Sequence, residues 1–176
     1  MGMGKKILLF IVMVVLAGGV FGLPKGSLTY AQEDVYHSSG LKIPRYVSLK
    51  KNKVFVRTGP ALRYPIKWVY KRKGLPVEII QEFDTWRKVK DIDGEEGWIH
   101  QSLISGRRMA IITQEGGTFL YKKPDDTTKK LAKLEAQSIA RLENCMPNWC
   151  EVEIQGFSGF LQRKSIWGVY EDEKFD

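Results

Sequence analysis

Cys145 and Cys150 stand five residues apart around Met146-Pro147-Asn148-Trp149, and Pro-Asn is good turn chemistry. Two thiols so placed can bind a metal, attack a substrate or join each other. With two cysteines and two histidines in 176 residues, the chain lacks the four Cys or His ligands of a structural zinc site. A Cys/His nucleophile has little support, because each cysteine neighbours the other and His100 stands far away, after Gly97-Trp98-Ile99. In an oxidising compartment the pair reads as a disulfide across a short hairpin, with a reactive thiol as the lesser alternative. No Ser/His/Asp set or paired-carboxylate motif stands out, and Asp91, Asp93, Glu95 and Glu96 gather at a hairpin tip where water solvates them. The expectation is a non-enzymatic chain with no catalytic residue, no metal and no cofactor.

Recognition is the chemistry that remains. Tyr64, Trp68, Tyr70 and Trp86 lie near Arg57, Arg63 and Lys67 in sequence. Flat rings offer contact area at low entropic cost, and flanking cations add attraction for anions, a combination suited to sugars, peptides or stacked rings. Arg57, Arg63, Tyr64, Lys67, Trp68, Tyr70 and Trp86 are therefore the candidate ligand-binding residues. Two structural uses compete with this one. The rings can cover an interface between repeats, and Arg57 can tie down the Thr58-Gly59-Pro60 loop through carbonyls.

These residues need strands to hold them. Seventeen glycines, five tryptophans and runs of Val and Ile favour strands and turns. Short alternating runs from Pro44 onward are separated by Thr58-Gly59-Pro60, Lys73-Gly74 and Asp93-Gly94, the last a strong hairpin signal. Val54, Val56, Val69, Val77, Ile79, Val89, Ile99 and Leu103 form the expected core. Side chains alternate faces along a strand, so Trp86, three from Val89, and Trp98, one from Ile99, should point away from it. The pattern then repeats. Trp86-Arg87-Lys88-Val89-Lys90 is echoed by Trp149-Cys150-Glu151-Val152-Glu153, and Gly97-Trp98-Ile99 by Gly159-Phe160-Leu161. The reading is all-β: two tandem small barrels over 45–105 and 106–171, a leader over 32–44 and a tail over 172–176.

Lys53-Val54-Phe55-Val56-Arg57-Thr58-Gly59-Pro60, a Gly-marked turn, Trp86-x-x-Val89, Gly97-Trp98-Ile99 and Leu103 together resemble the bacterial SH3-like family. The second copy has diverged: Leu120-Tyr121-Lys122-Lys123-Pro124 lacks the Arg and the Gly, and Phe160 replaces the Trp. Its Cys145-x-x-x-Trp149-Cys150 and the closing Ile166-Trp167-Gly168-Val169-Tyr170 are similar to tandem SH3-like proteins exported by alphaproteobacteria. The resemblance implies small β-barrels that bind cell-wall or peptide ligands, usually without catalysis.

Lys5 and Lys6 precede an apolar run from Ile7 to Val20, with no acid before Glu33. This is the layout of a secretory signal over 1–31, with small residues at Thr29-Tyr30-Ala31 and a competing site at Ala17-Gly18-Gly19. An uncleaved anchor is the alternative, and it would be the chain's only link to a membrane. Either way the remainder is expected to be periplasmic or secreted. From Val35 to Val77 there are eleven Lys or Arg and no acid, whereas Glu78 to Asp176 has fourteen bases and eighteen acids. Outside the cytosol such a field points to cell-wall polymers, lipopolysaccharide or anionic membrane surfaces rather than nucleic acid, with a merely solubilising face as the alternative. The expected function is an exported, non-catalytic module recognising peptidoglycan or an envelope peptide or protein. The alternative is a structural or adaptor subunit of a periplasmic complex. Mass spectrometry of the envelope-fraction protein should find an N-terminus near Gln32, and a full-length cytoplasmic product would contradict the export reading.

Overall fold

The computed structural model describes residues 38–173 and 175. The expected signal or anchor over 1–31, and residues 32–37 of the leader, lie outside the described residues. Alternation builds the strands. In β2 (Val54–Arg57) Val54 and Val56 are fully buried while Phe55 between them faces out. The first barrel continues this pattern through β1 (Arg45–Leu49), β3 (Ile66–Tyr70), β4 (Pro76–Phe83), β5 (Trp86–Lys90), β6 (Glu96–His100) and β7 (Ile104–Ser105), with a 3-10 turn over Gln101–Leu103. The second repeats it with β8 (Met109–Ile112), β9 (Thr118–Tyr121), β10 (Lys130–Leu134), β11 (Ile139–Cys145), β12 (Trp149–Ile154), β13 (Phe157–Gln162) and β14 (Ile166–Trp167).

The strand orders are β3-β2-β6-β5-β4-β1-β7 and β10-β9-β13-β12-β11-β8-β14, the same path twice, and every pairing is antiparallel. The fold is thus all-β, two small barrels in tandem. Among the described residues no helix is long and apolar enough to cross a membrane.

Each barrel has its own core. Val54, Val56, Val77, Ile79, Val89 and Ile99 are fully buried in the first, as expected, and Leu103 packs against them partly covered. Val69 departs from expectation. It pairs with Phe55, so both stand on the outward side, while Trp68 and Tyr70 pair with Val56 and Val54 and pack against the core. Opposed residues in a strand pair share a face, so one misassigned position reverses its neighbours too. Ile112, Leu120, Cys150, Val152 and Leu161 form the second core.

The disulfide joins Cys145 to Cys150, which are directly opposed at the end of the β11–β12 hairpin. Cys150 is fully buried, so the bond is a strut of the second core.

Both barrels belong to one compact unit. Tyr46 of β1 meets Trp167 edge-on at 5.0 Å between ring centroids and Tyr170 at 4.6 Å. The Tyr170 hydroxyl donates to Glu78 of β4 at 2.8 Å. Burial, then this bond, keeps the Tyr170 proton on well above the ordinary tyrosine range, and burial followed by the Glu78 charge pushes Tyr46 up to about 12. Arg108 stands over Tyr46, donates to the Gly168 carbonyl at 2.7 Å and pairs with Glu173. The ring contacts across the joint are thus those of Tyr46 with Trp167 and Tyr170, not of Tyr64, Trp68, Tyr70 or Trp86.

One buried carboxylate fastens the start of barrel one. The Glu82 side chain is fully covered, and its Oε1 receives Arg45 Nη2 at 2.6 Å and Arg87 Nε at 3.1 Å. The Ser39 amide donates to Oε2 and the Ser39 hydroxyl to Oε1, both at 2.8 Å. Burial alone would raise this carboxyl, but the hydrogen bonds from Arg45 and Ser39 prevail and hold it at about 2. Arg87 is in turn closed off by the Asp84 and Trp86 carbonyls and Gln101 Oε1.

A carboxyl lowered on folding stabilises above its unfolded value and loses that contribution as pH falls. Glu82 should thus contribute about 3 kcal/mol that disappears between roughly pH 4.5 and 2. Chemical denaturation across that window measures the acid limb, and E82Q should flatten it while costing about 3–5 kcal/mol at neutral pH, because Arg45 and Arg87 lose their counter-charge. For the hairpin, thiol titration of the unfolded, unreduced protein should find no free thiol. C145S/C150S should lower stability by about 2 kcal/mol, the loop-closure entropy of so short a ring.

Candidate functional site

A close crossing of strands positions the aromatic residues of barrel one. A Cβ on Gly97 would strike Val56 Cγ1, press on the Arg57 carbonyl and touch the Trp68 ring at 3.4 Å. Only glycine lets β6 approach β2 this closely, and Trp68 lies over the place where they meet. Its ring stands edge-on to Tyr70 at 5.9 Å. The Tyr70 hydroxyl donates to Asp91 Oδ2 at 2.8 Å, while Asp91 Oδ1 accepts the amides of Asp93 and Glu95. The acidic hairpin tip is thereby ordered, with Asp91 pinned to β3. Burial and the Asp91 bond hold the Tyr70 proton far above the ordinary range.

The loop between β2 and β3 is shaped by Arg57, whose Nη1 donates to the carbonyls of Leu62 at 3.0 Å and Tyr64 at 2.7 Å. This is the structural use weighed for Arg57. Tyr64 lies flat on Gly59, where a Cβ would come within 2.6 Å of the ring. Arg63 sits 5.2 Å from the Tyr64 centroid, and Lys67 Nζ sits 4.8 Å from the Trp68 centroid and 3.1 Å from the Glu96 carbonyl. Arg63 and Lys67 are exposed, so each cation is held over a ring at little entropic cost while remaining open to solvent. Leu62 is 76% and Ile66 45% exposed beside them.

Six of the seven candidate residues therefore meet around one loop and one strand crossing: Arg57, Arg63, Tyr64, Lys67, Trp68 and Tyr70. Trp86 does not join them as an exposed ring. It points away from Val89 as the alternation required, yet it is only 8% exposed, edge-on to His100, its partner on β6, at 5.5 Å. Two side chains opposed on one face cover each other even outside the core. Leu62, Ile66 and Phe55 were missed. Phe55 was legible from its alternation with Val54 and Val56, whereas a lone leucine in a loop carries no periodic signal.

The second barrel repeats the crossing without the face. A Cβ on Gly159 would press on the Tyr121 carbonyl at 2.7 Å and on Leu120 Cγ at 2.8 Å. Tyr121 occupies the place of Arg57, opposite Phe160 where the first copy has Trp98, and its ring is buried edge-on to Trp149 at 5.4 Å. A tyrosine there offers no guanidinium to tie the following loop. Beside the disulfide hairpin lies a cleft of about 620 Å³ lined by Pro147, Trp149, Arg163 and Asp172. Among the described residues no group of three His, Cys, Asp or Glu side chains converges as a metal set.

Three solved structures are similar to part of this chain. NlpC2 from Trichomonas vaginalis is 13% identical over 75% of this chain and 51% of its own, with a TM-score of 0.35. NlpC1 from the same organism is 15% identical over 74% and 48%, with a TM-score of 0.33. An NlpC/P60 family protein from Bacillus cereus is 11% identical over 69% and 55%, with a TM-score of 0.32. The chain spans about half the length of these relatives. No curated protein sequence matches it. The model of the bacterial SH3 domain matches twice, over 50–106 and 114–168, one match on each glycine crossing, and the chain belongs to the bacterial SH3 domain family, with two copies in tandem.

Proposed function

We propose that this chain is an exported, non-catalytic binding module of the cell envelope, recognising peptidoglycan or a peptide through the loop and strand that carry Arg63, Tyr64, Lys67 and Trp68. The supporting observation is the pair of exposed cations laid over rings, with Leu62 and Ile66 open on either side. Cations there draw anionic groups, and the apolar neighbours supply contact that salt does not screen. Arg57 and Tyr70 act from behind, as posts that fix the loop and β3. Trp86 is left out of the contact set because its ring is covered.

The test is co-sedimentation with purified peptidoglycan sacculi. R63Q/K67Q should weaken binding several-fold with the fold intact, and raised salt should do the same to the native protein without abolishing binding. L62A/I66A should remove the salt-resistant remainder. Trp68→Ala serves a different purpose: the ring packs on the core, so the substitution should cost about 2 kcal/mol of stability or more, and binding should fall with the fold. Should sacculus binding survive R63Q/K67Q and L62A/I66A in folded protein, the adaptor reading takes precedence. It has its own support in β3, the end strand of its sheet among the described residues, which is the position at which another chain adds a strand.

A further inference from the structure

Folding divides the eleven basic residues between Val35 and Val77. Arg45 is held by Glu82, Arg57 by carbonyls, and Arg63 and Lys67 lie over rings. Lys50, Lys51 and Lys73 instead converge with Arg107, from the segment between the barrels, on an open cleft of about 530 Å³ whose floor includes Gly74 and Met109. The backbones of Lys50, Lys73 and Arg107 are fixed. The Lys50 amide donates to the Leu103 carbonyl at 2.8 Å, that of Lys73 to Asn52 Oδ1 at 3.2 Å, and that of Arg107 to Ser105 Oγ at 3.2 Å. Their charged ends are not: among the described residues none of the four makes an ion pair or a side-chain hydrogen bond, and no carboxylate lines the cleft.

Lys67, Lys88, Lys90, Arg108 and Arg141 are each matched to a carboxylate. Lys71, Arg72, Lys122, Lys123, Lys129 and Lys133 are exposed without an ion pair among the described residues, and what sets Lys50, Lys51, Lys73 and Arg107 apart from them is that all four line one cleft. Four like charges brought to one concave place from the end of β1, the β3–β4 turn and the inter-barrel segment repel one another, and the field of a cleft is focused rather than dispersed. A single small anion would meet only part of this set. A chain carrying regularly spaced anions can meet all of it, and flexible lysines, which are point charges on long stems, accommodate such a chain without demanding one fixed geometry.

We propose that the seam between the two barrels is a binding cleft for a linear polyanion, a polymer with phosphate or carboxylate groups along its length. The site is distinct from the aromatic face of barrel one and uses neither Arg63 nor Lys67, so either reading can fail without the other. Lys50, Lys51 and Lys73 come from one barrel and Arg107 from the segment leading into the next, whose first strand adds Met109 to the lining.

The experiment titrates the full mature chain with linear inorganic polyphosphate and, separately, poly-glutamate, with monomeric inorganic phosphate and anionic lipid vesicles as comparison probes. K50Q/K51Q/K73Q/R107Q should weaken binding of the effective polymer at least tenfold and flatten its salt dependence. K122Q/K123Q/K129Q/K133Q, which removes the same charge from exposed positions on barrel two, should change it less than twofold, as should R63Q/K67Q. All three variants should melt within a few degrees of the native protein, because the altered side chains are exposed. Binding of polyphosphate alone identifies phosphate as the recognised group, of poly-glutamate alone carboxylate, and of both, charge spacing. The proposal is overturned if neither polymer binds, if the barrel-two variant loses as much as the seam variant, if inorganic phosphate binds as tightly as the polymers, or if vesicles bind and the polymers do not displace them.

Discussion

Two β-strands in each barrel pass so close together that a side chain on one of them would collide with the other. At Gly97 the obstacle is Val56 and the Arg57 carbonyl, and at Gly159 it is Leu120 and the Tyr121 carbonyl. A domain of this size has little interior, so it gains most by bringing its sheet into tight contact with itself. The missing Cβ permits that contact. It also sets the height at which Trp68 lies, and through Trp68 the places of Lys67 and Tyr70. Fold closure and the candidate face are consequences of the same atom's absence.

Charge is handled differently in the interior and at the surface. Inside, Glu82 is shared between two guanidiniums and two groups of Ser39, so that a carboxylate with no exposed side-chain surface keeps all its acceptor capacity occupied. Such an arrangement fixes the path of the chain entering barrel one, because Ser38 and Ser39 are held there by residues more than forty positions away. At the surface, Arg63 lies over Tyr64, and Lys67 lies over Trp68 while also reaching Glu95 and the Glu96 carbonyl, and both remain exposed. Among the described residues Lys50, Lys51, Lys73 and Arg107 have no such partner and line one cleft together. The same residue types thus serve as fasteners, as presented charges or as an unmatched field, according to what folding places beside them.

The two copies have diverged in use while keeping one topology. The first keeps the arginine that braces its loop. The second has Tyr121 at that place, buried against Trp149, and adds a disulfide that closes the β11–β12 hairpin over its core. Tyr46, Trp167 and Tyr170 then join the copies, with Arg108 bridging the joint to the chain's last described turn through Gly168 and Glu173. Small barrels that bury rings against each other in this way hold their connecting segment in place, and the cleft at the seam inherits its shape from that constraint.

Much of this was legible in the chain of amino acids. Alternation marked Val54, Val56, Val77, Ile79, Val89 and Ile99 as core, Asp93-Gly94 as a turn, and Cys145 with Cys150 as a hairpin pair, because each is a local pattern with one low-energy outcome. The echo of Trp86-x-x-Val89 and Gly97 in Trp149-x-x-Val152 and Gly159 revealed the duplication. Alternation fails where two neighbouring positions are both apolar, and Trp68-Val69 is such a place: either residue can be turned inward, and only pairing with Val54 and Val56 chose Trp68 and Tyr70 over Val69. The cover over Trp86 came from His100 on another strand. The assembly of Lys50, Lys51, Lys73 and Arg107 came from three separate segments. Sequence determined which residues alternate, turn and repeat, since those properties depend on neighbours along the chain. Tertiary structure decided which rings are covered and which charges remain unmatched, since burial and pairing depend on neighbours in space.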